Sequence, residues 1–149
     1  MTAGRVAFEG FSLVVPDGWS EVLEDATFSD PDHVPPVALA AKGGAGTLYV
    51  AAPLVEESLD LSATVDVAEW LVRDWSKRRG LPTPVETGSE LAGGVARATA
   101  VHRVGEDFVQ AWSITDGRWV VEVSYVCRWD ARDQEHAERE AMVASLCLG

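Results

Sequence analysis

The dipeptide Asp116-Gly117 constrains this chain more than any other feature, because it separates two runs of alternating apolar and polar residues, Phe108 to Thr115 and Trp119 to Tyr125. Asp-Gly supplies the positive φ that a two-residue hairpin loop needs, so the runs are expected to be antiparallel neighbours. With those two residues as the loop, Ile114 faces Trp119, Trp112 faces Val121, Gln110 faces Val123 and Phe108 faces Tyr125. A second connection, Gly105-Glu106-Asp107, adds a third strand and sets Val104 opposite Phe108, His102 opposite Gln110 and Ala100 opposite Trp112. One face of this meander is apolar and expected to be core. The other carries Arg97, Thr99, Val101, Arg103, Ser113, Thr115, Arg118, Val120, Glu122 and Ser124, and is expected to be wet.

Before the meander the chain is strand-like and then helical. Phe11, Leu13 and Val15 alternate with Ser12 and Val14, and Pro16-Asp17-Gly18 ends that strand in a turn. Weaker strands are expected at Glu21 to Leu23 and Ala26 to Phe28, followed by a proline-broken loop, Ser29 to Pro36. Val37 to Ala41 and Thr47 to Ala52 read as an antiparallel pair joined by a glycine-rich connection. Trp19, just past the first turn, is expected to plug the sheet's end beside the long helix.

That helix is predicted from Thr64 to Arg79, where Val67, Ala68, Leu71, Val72 and Trp75 fall on one side. Ser62 or Thr64 can cap its start, and Gly80 followed by Pro82 ends it. A second helix is expected from Asp130 or Asp133 to about Leu146, with Glu135 and Arg139 paired one turn apart. The fold class is therefore α+β: an antiparallel sheet of about six strands, ending in a three-stranded meander, packed with two main helices.

Composition narrows the function classes. A chain of 149 residues is expected to be one domain, 1–149, with an ordinary core. A formal charge of −12 opposes nucleic-acid binding, which needs a basic surface, and suits a basic protein partner. No run approaches the ~20 apolar residues of a membrane span, and Glu9 interrupts any signal-peptide core, so a cytoplasmic location without membrane contact is expected. Cys127 and Cys147 lack metal-ligand spacing and are expected to be buried and reduced.

Candidate chemistry is sparse. Lys42-Gly43-Gly44-Ala45-Gly46 lacks the Gly-Lys-Ser/Thr ending and the following helix of a phosphate loop, so it reads as a hairpin connection. Asp30, Asp32 and His33, or Asp133 and His136, have metal-compatible side chains without a motif, and no metal or cofactor site is assigned. His102 and Gln110, placed together on the apolar face, must bond each other or a neighbour, or else open into a pocket with Tyr125 and Cys127 nearby. No Gly-x-Ser-x-Gly elbow is present and no catalytic residue is assigned, so the chain is not expected to be an enzyme.

The stretches "FSLVVPDGWSE", "GTLYVAA" and "WVVEVSYVCRW", with a closing helix ending "VASLCL", resemble the PsbP-like/Mog-like superfamily in element order over nearly the whole chain. Arg139 departs from that pattern, standing where an apolar residue is expected one turn before Met142 and Val143. The resemblance implies a non-enzymatic partner-binding protein, since such relatives include photosystem subunits, a Ran-binding factor and chaperones of type VI secretion effectors. Small acidic relatives resemble toxin-neutralising immunity proteins. The expected partner is a toxin or secreted effector, met through the wet face and adjacent loops at Arg97, Arg103, Arg118, Glu122 and Trp129. The alternatives are an effector chaperone that works as a dimer rather than a monomer, and a small-molecule binder or enzyme with a pocket at His102, Gln110 and Tyr125.

Overall fold

The computed structural model describes residues 4–8, 10–22, 37–54 and 64–148. The strand expected at Ala26 to Phe28 and the loop from Ser29 to Pro36, with Asp30, Asp32 and His33, lie outside the described residues. Among the described residues, ten strands and two α-helices form an α+β fold. Seven strands make one antiparallel sheet in the order β3 (Trp19–Glu21), β4 (Val37–Ala41), β5 (Gly46–Leu54), β9 (Val120–Arg128), β8 (Asp107–Thr115), β7 (Val95–Val104), β6 (Glu86–Ala92). A second sheet joins β1 (Gly4–Phe8), β2 (Phe11–Val15) and β10 (Cys147–Leu148). The strands that the sequence reading did not anticipate are β1, β6 and β10, none of which carries a long apolar run.

Helix α1 (Val65–Arg78) begins where its cap predicts: the Thr64 side chain accepts from Val67 N at 3.2 Å. It ends in a Schellman pair, Gly80 N to Lys77 O and Leu81 N to Ser76 O, with Gly80 at φ +66°. Helix α2 (His136–Ser145) starts later than expected, after a 3-10 turn at Trp129–Ala131, and neither Asp130 nor Asp133 caps it. Glu135 and Arg139 do not pair. The Glu135 carboxylate accepts from the Tyr125 hydroxyl at 2.6 Å and from Gly46 N at 2.9 Å, while Arg139 turns towards β8.

The meander is present, but both registers differ from expectation, with different consequences. Asp116 Oδ1 accepts from Arg118 N and Trp119 N, at 2.9 and 2.8 Å, which wraps a four-residue loop and sets Ile114 opposite Val121. That is a shift of two positions, so every side chain keeps its face. Between β7 and β8 only Gly105 and Glu106 form the loop, giving Val104 opposite Asp107 and Val101 opposite Gln110. This one-residue slip moves all of β7 to the other face. His102 is therefore separated from Gln110 by the sheet itself, and the face expected to be wet is not a single surface.

One sheet face holds Leu39, Leu48, Val50, Phe108, Trp112, Ile114, Val121, Val123 and Tyr125, covered by Phe11, Leu13, Met142, Val143 and Leu146 from β2 and the α2 region. Trp19 is buried in this cluster and its indole N–H donates to Glu138, so it lies beside α2 rather than the long helix. The opposite face presents Ala96, Ala98, Ala100 and Ala111, on which Ala68, Val72 and Trp75 of α1 rest. Ser113 and Thr115, expected to be wet, are 0% exposed. Of the cysteines, Cys127 is buried and Cys147 is exposed; both are free.

Candidate functional site

A strand at the end of a sheet shows solvent a row of unpaired backbone N–H and C=O groups, and proteins normally blunt it. The two ends of the large sheet differ in this respect. At one end β3 is only 3 residues long. At the other, β6 runs for 7 residues, Glu-Thr-Gly-Ser-Glu-Leu-Ala, and every one of them is exposed. It contains neither proline nor lysine. The strand exists because Gly93 and Gly94, at φ +59° and +77°, make the two-residue turn that folds Ala92 back onto Val95. Leu91 at its end is 57% exposed and Val85 just before it 61%, apolar side chains left in water beside an open edge.

A groove lies on each side of β6. On the α1 side a groove of about 620 Å³ is lined by Val72, Leu81, Pro82, Ala98 and Ala100, with Glu69, Arg73 and Lys77 on its helical rim. Ser89 Oγ donates to Glu69 across it at 2.7 Å. On the α2 side a groove of about 260 Å³ is lined by Glu90, Arg97, Thr99, Trp112, Glu140 and Val143. Charge differs between the two sides. The α2 side sets the carboxylates Glu86, Glu90 and Glu140 against Arg97, whereas the α1 side sets the cations Arg73 and Lys77 against Glu69.

His102 forms part of the larger groove's floor but is 1% exposed, and Ser76 beside it 6%. Its Nε2 lies 2.9 Å from Ser76 Oγ, and Nδ1 donates to the Pro82 carbonyl at 2.7 Å. Ser76 also donates to Val72 O at 2.9 Å. The contacts resemble a nucleophile and base, yet both groups are enclosed. What they do is fasten α1, β7 and the segment after the helix to one another.

Gln110 and Tyr125 sit on the far side of the sheet in a buried polar network. Arg139, 3% exposed, donates through Nε to Gln110 Oε1 at 3.1 Å and through Nη1 to Arg132 O at 2.7 Å. Its guanidinium lies 4.9 Å from the Phe108 ring centre and 4.8 Å from that of Tyr125, so two aromatic faces replace the missing anion. Burial, reinforced by the hydrogen bond to Glu135, pushes the Tyr125 hydroxyl well above the ordinary tyrosine range. Burial likewise raises the Cys127 thiol. The glycine connection is explained here: a Cβ on Gly44 would stand 2.6 Å from Glu135 Oε2, and one on Gly46 2.7 Å from the Tyr125 hydroxyl. His102, Gln110 and Tyr125 therefore do not share a pocket.

The residues expected to meet a partner are dispersed. Arg103 and Trp129 come together, with the guanidinium 4.7 Å above the indole and Arg132 at 4.4 Å. Arg118 is exposed at the β8–β9 loop, the opposite end of the strands. Arg97 bonds the Ala144 carbonyl at 3.2 Å, and Glu122 pairs with Arg78 at 3.6 Å on the α1 side. Sequence reasoning missed β6 because ETGSELA has no apolar alternation; the Gly93-Gly94 pair was the available signal.

No family model and no curated protein matches this sequence. Among solved structures, the chain is similar to cyanobacterial PsbP (CyanoP) from Synechocystis sp. PCC 6803, with a TM-score of 0.67 and 16% identity over 99% of this chain and 93% of that one. A Bacteroides thetaiotaomicron crystal structure aligns with a TM-score of 0.61 and 15% identity over 100% of this chain, which spans 49% of that longer one. The fold is PsbP-like. No helix among the described residues is long and apolar enough to cross a membrane.

Proposed function

We propose that this chain is a non-enzymatic, cytoplasmic protein-binding protein that receives its partner at the β6 edge. The observation that carries this reading is the edge itself: an exposed strand, left open between two grooves and bordered by Val85 and Leu91. Strand addition uses such an edge, with main-chain bonds giving affinity and flanking pockets giving choice. The polar groups that could have suggested catalysis, Ser76 with His102 and Tyr125 with Glu135, are buried and bonded to one another. The net charge of −12 suits a basic partner. Within this class, a toxin-neutralising immunity protein is the first choice and a type VI effector chaperone the second.

The test is affinity capture from a lysate of the source organism, with the Val85→Lys/Leu91→Lys chain alongside. Both positions are exposed, so the variant keeps its fold while losing the apolar border. A specific protein retained by the parent chain and lost by the variant is the expected result. Recovery of nothing above background with the parent chain would overturn the reading. Co-expression separates the two finer roles: an immunity protein rescues cells from the captured partner, whereas a chaperone raises its soluble yield.

A further inference from the structure

We infer that the β6 edge selects an extended segment in which lysine or arginine alternates with uncharged, preferably β-branched, residues; this rests on the protein-binding reading above. Glu86, Gly88, Glu90 and Ala92 of β6 project to the α2 side, and Thr87, Ser89 and Leu91 to the α1 side, as their pairing with β7 fixes. On the α2 side an incoming strand meets Glu86 and Glu90 directly, with Glu140 of α2 across the smaller groove. Arg97 is the cation there; it reaches Glu90 at 3.7 Å but is also bound to the Ala144 carbonyl. Among the described residues no cation pairs with Glu86. Opposite charges on neighbouring strands stabilise a pair, and like charges directly opposite destabilise it. Alternate residues of the incoming strand are therefore cationic on this side.

The other side asks for the opposite. Thr87 and Ser89 are small and polar, Leu91 is apolar, and the nearby rim of α1 carries Arg73 and Lys77 beside Glu69, whose carboxylate already accepts from Ser89. A cation pointing there would meet two like charges and one anion already bonded, whereas a valine, isoleucine or threonine lies over Leu91 and the apolar groove wall. Period-two alternation makes both demands compatible with one extended strand.

The same charges exclude a second copy of this chain as the occupant. Antiparallel pairing of two β6 strands centred on Gly88 would set Glu86 of each copy opposite Glu90 of the other. Centring on Ser89, which pairs the full strand, still gathers both glutamates of each copy on one face. The edge is thus protected against itself while remaining open to a strand of complementary charge.

A fluorescent heptapeptide alternating lysine and valine, titrated into the full chain at low salt, tests this. Anisotropy reports affinity, and amide exchange reports the location. The expected result is saturable binding that slows exchange across Glu86–Ala92, weakens at least tenfold when glutamate replaces lysine in the peptide, and weakens at least tenfold in Glu86→Lys/Glu90→Lys. Unchanged exchange at those amides, equal binding of the glutamate peptide, absence of binding, or a concentration-dependent dimer of the chain that E86K/E90K dissolves would each overturn it. The outcomes also separate the two proposals. Lysate capture that depends on Val85 and Leu91 while the peptide fails leaves protein binding standing and removes this charge pattern; failure of both removes both.

Discussion

The two faces of the seven-stranded sheet solve the same packing problem with opposite materials. Beneath α1 the sheet is nearly flat, surfaced by Ala96, Ala98, Ala100 and Ala111, and the helix answers with Ala68, Val72 and Trp75. Beneath α2 and the small sheet it is deep, filled by Phe108, Trp112, Tyr125 and Leu48, and threaded by the charged groups Arg139 and Glu135. The first face depends on the absence of side-chain volume, and the second on the completeness of a hydrogen-bond network. A substitution of one kind should therefore be costly on one face and mild on the other.

The largest expected effect is Arg139→Ala. It leaves Gln110 Oε1 and the Arg132 carbonyl without their donor and strips a cation from between two rings. Each acceptor left without its donor costs about 1–3 kcal/mol, and the volume lost with the side chain adds a cavity cost. Urea unfolding measures it. Arg139→Met restores volume but still strands the same two acceptors, so it should recover only part of the loss; full recovery by methionine would show that the arginine acts only as a space-filler.

Next in size is Ala111→Leu on the alanine face. Ala111 is 1% exposed and lines neither groove, so added methylenes have to lift α1 from the sheet. Overpacking of a filled core costs about 1–3 kcal/mol. Leucine there should also displace Ser76 from His102 and so loosen the segment at Pro82, which increased amide exchange at Leu81 would register. An unchanged midpoint would mean that the α1 interface is not close-packed and that the contrast between the faces is overstated.

This contrast was only partly legible in the sequence. The α1 stripe, its Thr64 cap and its Gly80 stop are local signals, and they placed the helix to within a residue. The β4–β5 pair and the three strands of the meander were legible for the same reason. Pairing register was not, because it depends on how many residues a turn consumes. Asp116 bonding two amides lengthened one loop harmlessly, whereas the loss of Asp107 from the other loop exchanged the faces of β7. That single residue turned a supposed His102–Gln110 pocket into two unrelated sites. Arg139 looked misplaced one turn before Met142 because its partners, Phe108, Gln110 and Tyr125, come from strands remote in the chain. The edge strand β6 stayed invisible because exposure on both faces erases the alternation that announces a strand.

Tyr125→Phe probes the network more gently and through pH. Its hydroxyl donates to Glu135 at 2.6 Å, and losing that one bond costs about 1 kcal/mol near neutrality. The alkaline limb carries the sharper contrast. Because burial and the Glu135 bond raise the folded-state pKa above the ordinary value of 10.0, the unfolded chain releases this proton first as the pH rises. The stabilisation is thus fully present below pH 10.0 and is lost progressively above it, while the phenylalanine variant lacks this contribution. Parent and variant stabilities measured from pH 8 to 11 should converge at the alkaline end. Parallel curves would indicate that Tyr125 titrates as freely as an exposed tyrosine.

The smallest expected stability change belongs to the edge, where neither packing material is at stake. Val85→Lys with Leu91→Lys should shift the unfolding free energy by no more than about 0.5 kcal/mol, since exposed positions away from caps and cores are nearly neutral. A larger loss would mean that Val85 and Leu91 support the fold, and their exposure would then give no argument for a partner. Near-neutrality combined with lost capture is the informative result. It would separate a surface retained for binding from two faces retained for stability, and place the division between them at the Gly93-Gly94 turn that sets β6 at the sheet's edge.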